Sequence, residues 1–148
     1  MKKIVVLLLT LIVLTACQEI ETIKHEHKFI GESEHWEAEY SFKLTEVQRE
    51  SDGTSITNSK NDHNFLLKYK GTLEELSSVR EINYSYETNN GGGSAKEEFS
   101  APPKEVTYKI SGGSKGWEEI GEDEVIKVNV KWGNFEETFE LQNNSKKD

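Results

Sequence analysis

The sequence predicts a mainly β protein, an antiparallel, immunoglobulin-like β-sandwich of six to eight strands. Apolar and polar residues alternate in several short segments, which is the pattern of strands with one buried face and one wet face. Residues 125–132 and 135–141 also match each other as the two strands of a hairpin. No segment shows an extended helical period, so strands must supply the core.

Residues 35–45 contain the longest alternating pattern. The odd-numbered positions carry His, Glu, Ser or Lys. The even-numbered positions are apolar: Trp36, Ala38, Tyr40, Phe42 and Leu44. Because successive side chains of a strand point to opposite faces, these five residues are predicted to lie in the core.

The hairpin prediction rests on Gly133 and Asn134, a pair that suits a two-residue turn with glycine first. With that turn, Trp132 faces Phe135, and the register brings apolar residues together on one face and opposite charges together on the other. A slip of one residue would destroy both agreements. Glu137 is the one residue that departs from the apolar face.

Further strands are predicted over residues 63–70, 81–87, 105–111, 124–132 and 135–142, with shorter candidates near 28–30, 47–50 and 56–58. The glycine-rich segments 89–94 and 111–117 are interpreted as loops. The number, spacing and length of the strands favour a sandwich over a small barrel, although the disulfide typical of immunoglobulin domains is absent.

The N-terminus has the order of an export signal. Lys2 and Lys3 precede an apolar run over residues 4–14, in which Thr10 is the only polar residue. A helix needs about 20 apolar residues to cross a bilayer, so this shorter segment is predicted to be removed. The predicted organisation is a signal peptide (1–16), a lipidated cysteine and tether (17–28), a β-sandwich domain (29–143) and a tail (144–148).

Residues 14–17 are Leu-Thr-Ala-Cys, and Cys17 is the only cysteine of the chain. This segment resembles the lipobox of bacterial lipoproteins. The resemblance implies that diacylglycerol is attached to the Cys17 sulfur and that the chain is cleaved before it. Cys17 would then hold the protein on the extracellular face of the cell membrane. A lone cysteine of an exported protein has no disulfide partner, which favours this use over an incidental one.

Segments 31–40 and 130–137 are also similar to small lipoproteins of Bacillus-type bacteria. This resemblance implies an extracellular β-sandwich and supplies no activity. The predominance of lysine over arginine, with abundant asparagine and glutamate, agrees with a Gram-positive source of low genomic GC content.

The charge of the mature chain disfavours two classes of partner. Lys2 and Lys3 are two of the 18 basic residues, so cleavage leaves 16 of them against 27 acidic residues, a net charge of −11. Such a surface repels nucleic acid and anionic lipid headgroups. The membrane is therefore expected to be a partner only through the lipid on Cys17.

The sequence singles out no catalytic residue. The single thiol is assigned to lipid, and paired carboxylates are too numerous to single out. We therefore expect no catalytic residues and no cofactor.

Two segments are weak candidates for cation binding. His25 and His27 would share one face of an extended segment, where Glu21 or a residue of the folded domain such as His35 or His63 could complete a site. The other segment is a run of acidic residues that could ligate a hard cation but fits no calcium loop: Glu118, Glu119, Glu122, Asp123 and Glu124. A charged tether and a solvated acidic loop explain the two segments more simply.

The sequence thus favours a lipid-anchored extracellular β-sandwich that acts by binding an unidentified protein, envelope component or small ligand. The alternative is an envelope lipoprotein that binds a metal or another cation through the His25/His27 segment or the 118–124 loop.

Overall fold

The computed structural model describes residues 20–51, 53–115 and 120–144. Eight antiparallel strands account for most of them, and these residues contain no α-helix, including none long and apolar enough to cross a membrane. The strands are β1 (Ile20–Glu32), β2 (Trp36–Ser51), β3 (Thr54–Tyr69), β4 (Glu81–Thr88), β5 (Gly91–Glu98), β6 (Thr107–Lys115), β7 (Ile126–Trp132) and β8 (Phe135–Asn143).

All eight strands belong to one sheet, in the order β5-β4-β7-β8-β1-β2-β3-β6. The sheet curls until its edge strands, β5 and β6, approach each other, which gives a nearly closed barrel. The mainly β, antiparallel prediction is confirmed, but the immunoglobulin-like sandwich is not. Strand number and spacing do not encode which strands pair, and here β1 joins the two halves by pairing with both β2 and β8.

Strand β1 begins at Ile20, inside the segment that the sequence favours as a tether. It pairs with β2 along its whole length, from Ile20 opposite Arg49 to Glu32 opposite Glu37. Its outward charges meet partners across the pair, as in the Lys28–Glu39 contact of 2.8 Å. Cross-strand pairing therefore orders a segment that has little apolar bulk of its own.

Residues 91–94 and 111–115 of the two glycine-rich segments belong to strands, although the sequence favours loops there. Gly93 of β5 lies against the ring of Tyr86, and a Cβ atom on Gly93 would come within 2.6 Å of it. Gly112 of β6 lies against the imidazole of His63, where a Cβ atom would come within 2.7 Å. Both glycines thus make room for a ring from the neighbouring strand.

The β7–β8 hairpin has the predicted register at all seven pairs, from Trp132 opposite Phe135 to Ile126 opposite Leu141. Gly133 has φ of 57°, as the glycine-first turn requires. The short candidates 47–50 and 56–58 are the ends of β2 and β3, which have 16 residues each.

The inward face of the sheet forms an aromatic core. Trp36 is 0% exposed, and its ring contacts those of Tyr69, Tyr108 and Trp132. The alternation of residues 35–45 is confirmed, since all five of its apolar side chains are buried.

Antiparallel order places alternate connections at opposite ends of the barrel. The far end carries the β1–β2, β3–β4, β5–β6 and β7–β8 connections. The near end carries Ile20, the β2–β3 and β4–β5 turns and the β6–β7 connection. Strand β1 has 13 residues, which at about 3.3 Å per residue gives a strand about 40 Å long.

Candidate functional site

Glu137, the residue that departs from the apolar face of the hairpin, receives three hydrogen bonds from the β1–β2 turn. The Ser33 hydroxyl donates to Oε2 at 2.5 Å, and the His35 backbone N–H donates to the same oxygen at 3.2 Å. The third bond joins His35 Nδ1 and Glu137 Oε1, which lie 2.5 Å apart. One carboxylate therefore holds the turn against β8.

The backbone ladder between β1 and β8 is short, which gives the Glu137 carboxylate its structural role. The β1–β8 ladder consists of two residue pairs, Phe29 with Asn143 and Ile30 with Gln142. At the next residue, Gly31, a Cβ atom would come within 2.1 Å of the Glu140 carbonyl oxygen. Beyond this close approach the Glu137 side chain, rather than the backbone ladder, connects the two strands.

Aromatic rings hold the imidazole of His35 in place. It stacks on Tyr69 at a centroid distance of 6.4 Å and lies 5.7 Å from the ring of Trp132. Trp36 packs beneath both of these rings, at 5.1 Å from Tyr69 and 5.5 Å from Trp132. The His35 side chain nevertheless stays 42% exposed, so solvent or a ligand can reach it.

Phe135 extends this surface outwards. Its ring stacks on Trp132 at 5.6 Å, and the residue is 64% exposed. The far end therefore presents an apolar ring beside the His35–Glu137 pair.

The contact between His35 and Glu137 changes the pKa of both groups. The hydrogen bond that His35 donates to the Glu137 carboxylate, together with the negative charge of that carboxylate, raises the pKa of His35, although burial opposes this. Burial by itself would raise the pKa of Glu137, but the hydrogen bonds from Ser33 and His35 outweigh it and lower that pKa. Both shifts favour the charged pair.

The pair should make stability depend on pH in a defined window. A raised histidine pKa stabilises the fold below the unfolded value of about 6.5 and stops doing so as the pH rises through the folded value. A lowered glutamate pKa stabilises above the unfolded value of about 4.3 and is lost as the pH falls through the folded value. The stabilisation of the fold by the His35–Glu137 pair should therefore be largest between about pH 4.3 and about pH 6.5, the unfolded pKa values of glutamate and histidine.

NMR titration of the imidazole measures this directly. We expect the midpoint of His35 to lie above about 6.5 and to fall in Glu137→Gln, which removes the negative charge. An unchanged midpoint in that variant would show that Glu137 is not the cause.

Glu34 completes a group of three possible ligands with His35 and Glu137, which we call the far-end cluster. Each residue offers one ligand atom, and the three atoms lie within 4.8 Å of one another. The hydrogen bonds of the Ser33 hydroxyl go to Glu137 and to the Trp36 carbonyl oxygen. Ser33 is thus placed to orient the Glu137 carboxylate.

His25 and His27 lie elsewhere, on the inward face of β1. They are opposite Leu44 and Phe42 of β2, and His63 of β3 is opposite the other side of Phe42. His27 and His63 thus share a face but are separated by a whole strand. Within the described ranges, the structure does not bring these histidines into a group of three ligands.

Of the acidic segment, the structure describes Glu122, Asp123 and Glu124, which lie at the near end. Glu124 accepts hydrogen bonds from the backbone N–H of Asn89 at 2.5 Å and from its side-chain amide at 2.8 Å, so it supports the β4–β5 turn. Glu122 and Asp123 are exposed. Cys17, Glu118 and Glu119 lie outside the described residues.

Sequence reasoning thus missed Ser33, Glu34 and Glu137. The available signal was the break that Glu137 makes in the apolar face of an otherwise regular hairpin. Comparison of the chain with protein-family models, with curated proteins and with solved structures gave no match.

Proposed function

We propose that the protein is a lipid-anchored, extracellular binding module without enzymatic activity, and that it binds its ligand at the far end. The supporting observation is the direction of β1. Only residues 18 and 19 separate Cys17 from Ile20, where β1 begins, and the strand ends at the turn that carries Ser33 and His35. A lipid on Cys17 would therefore hold the near end at the membrane and place the far-end cluster about 40 Å away along β1.

The chemistry of the far end suits recognition. It combines an exposed aromatic ring, Phe135, with a charged pair whose imidazole is accessible to solvent. Aromatic side chains are enriched at protein interfaces, where they contribute much of the binding energy. The ligand would be a partner protein, another envelope component or a small molecule, and the charge of −11 disfavours nucleic acid.

Crosslinking in intact cells tests the binding part of the proposal. A photoreactive residue is placed at Phe135 of the far end or, as a matched control, at Ile56 of the near end, which is 49% exposed. We expect a specific crosslinked product from position 135 and none from position 56. Equal products from both positions, or none from position 135, would contradict far-end binding.

A second arm of the experiment tests the anchor. In Cys17→Ser the sulfur that would carry the lipid is lost, so we expect the protein to lose labelling by palmitate. Gln18→Ser, which leaves residues 14–17 intact, should still be labelled. Palmitate labelling that persists in Cys17→Ser would contradict the lipid anchor.

A further inference from the structure

We propose that Glu34, His35 and Glu137 form a binding site for one divalent transition-metal ion of the zinc class. The proposal goes beyond the binding module described above and does not depend on the lipid anchor. It also places the metal site at the opposite end of the barrel from Glu122, Asp123 and Glu124.

The geometry needs only small side-chain movements to receive the ion. Ligand atoms about 2.0–2.2 Å from a tetrahedral zinc ion lie about 3.3 Å from one another. The three candidate ligand atoms already lie within 4.8 Å of one another, and Nδ1 and Oε1 are 2.5 Å apart. Glu34 is exposed, so its carboxylate can close the remaining distance without disturbing the core.

The donor set selects the class of metal. One imidazole nitrogen with two carboxylates suits zinc and its neighbours in the first transition series, whereas calcium and magnesium prefer oxygen ligands alone. The two carboxylates also balance the charge of a divalent ion when His35 is neutral. Three protein ligands leave a fourth position for water or for a donor atom from a partner, as in open zinc sites.

Two of the ligands are oriented in advance by the surrounding structure. Ser33 and the His35 backbone N–H both bind Oε2 of Glu137, and Oε1 faces the imidazole. Tyr69 and Trp132 fix the plane of that imidazole. Groups that orient metal ligands in this way contribute to affinity because less freedom is lost on binding. The metal ion would take the place of the proton shared by Nδ1 and Oε1.

Calorimetric titration of the Cys17→Ser chain with zinc tests the proposal. This background removes the only thiol, which would compete for the metal. We expect one zinc ion per chain and a higher unfolding midpoint with zinc, because a ligand of the folded state stabilises it. His35→Ala, Glu137→Gln and Glu34→Gln should each lower the zinc affinity at least about tenfold.

The double variant His25→Ala/His27→Ala is the matched control, because it removes two histidines of β1 and leaves the far-end cluster intact. Its zinc affinity should equal that of the parent chain. Glu34→Gln should fold like the parent chain, since this exposed side chain contributes nothing to the core. A loss of zinc affinity in this variant would therefore not result from misfolding. Cobalt absorption gives a second readout, in which one imidazole and two carboxylates should produce a spectrum that is lost in His35→Ala.

Three results would overturn the proposal. They are the absence of saturable zinc binding, unchanged affinity in folded Glu34→Gln and His35→Ala, and loss of binding in the His25/His27 control alone. Each of these results leaves the lipid anchor and the crosslinking experiment unaffected, so the two proposals fail independently.

Discussion

Trp36→Ala is expected to lower the free energy of unfolding by about 3–5 kcal/mol, the usual cost of truncating a buried tryptophan. Trp36 is fully buried and contacts three other aromatic rings, those of Tyr69, Tyr108 and Trp132. Small domains have about 5–15 kcal/mol of stability in total, so the variant should unfold at a much lower urea concentration than the parent chain.

Trp36→Phe separates the ring from the indole nitrogen. That nitrogen is buried and has no hydrogen-bond partner in the part of the chain that the structure describes, so phenylalanine gives up no bond there. We expect the free energy of unfolding to fall in Trp36→Phe by less than half of its fall in Trp36→Ala. Ile56→Ala, at a surface position, should leave the urea midpoint nearly unchanged. A loss below about 1 kcal/mol in Trp36→Ala would show that this aromatic cluster does not support the fold.

Glu137→Val is expected to destabilise the protein by about 1–3 kcal/mol, although it restores the apolar pattern of the hairpin. Valine fits a strand and faces Val130 across the pair. It would, however, leave the His35 backbone N–H without its acceptor and the Ser33 hydroxyl with only the longer bond to the Trp36 carbonyl oxygen. An unsatisfied donor costs more than the added apolar contact contributes, and urea unfolding measures the difference.

Glu136→Val is the matched comparison, one residue earlier on the outward face. Glu136 contacts Lys131 at 3.4 Å, and its side chain is 53% exposed. Exposed ion pairs contribute little, so this variant should unfold within about 0.5 kcal/mol of the parent. If Glu137→Val proved as stable as the parent, hairpin packing rather than the link to the β1–β2 turn would decide this position.

At the far end, the residues that connect β8 with the β1–β2 turn are also those that we propose to bind a ligand. Glu137 binds the β1–β2 turn beyond the last residue pair of the β1–β8 ladder. The same carboxylate faces the imidazole of His35, which is accessible to solvent. A metal ion or a partner bound there would act on the contact that holds the two halves of the sheet together at this end.

The local features of this protein, namely strand alternation and the hairpin turn, can be predicted from the sequence alone. Residues 35–45 and the β7–β8 hairpin were predicted correctly because alternation and turn chemistry act between residues that are close in the chain. The departure of Glu137 from the pattern was visible as well. Its partners were not visible, because Ser33 lies 104 residues away.

Other features depend on contacts between residues that are far apart in the chain, and these are visible only in the tertiary structure. Strand β1 forms because β2 supplies a pairing partner for every one of its residues. Strands β5 and β6 contain glycines because the rings of Tyr86 on β4 and His63 on β3 occupy the space that a side chain would need. The nearly closed sheet depends on two residue pairs between β1 and β8. Alternation shows which face of a strand is buried, but it does not show which strand lies beside it, and the far-end cluster depends on that neighbour.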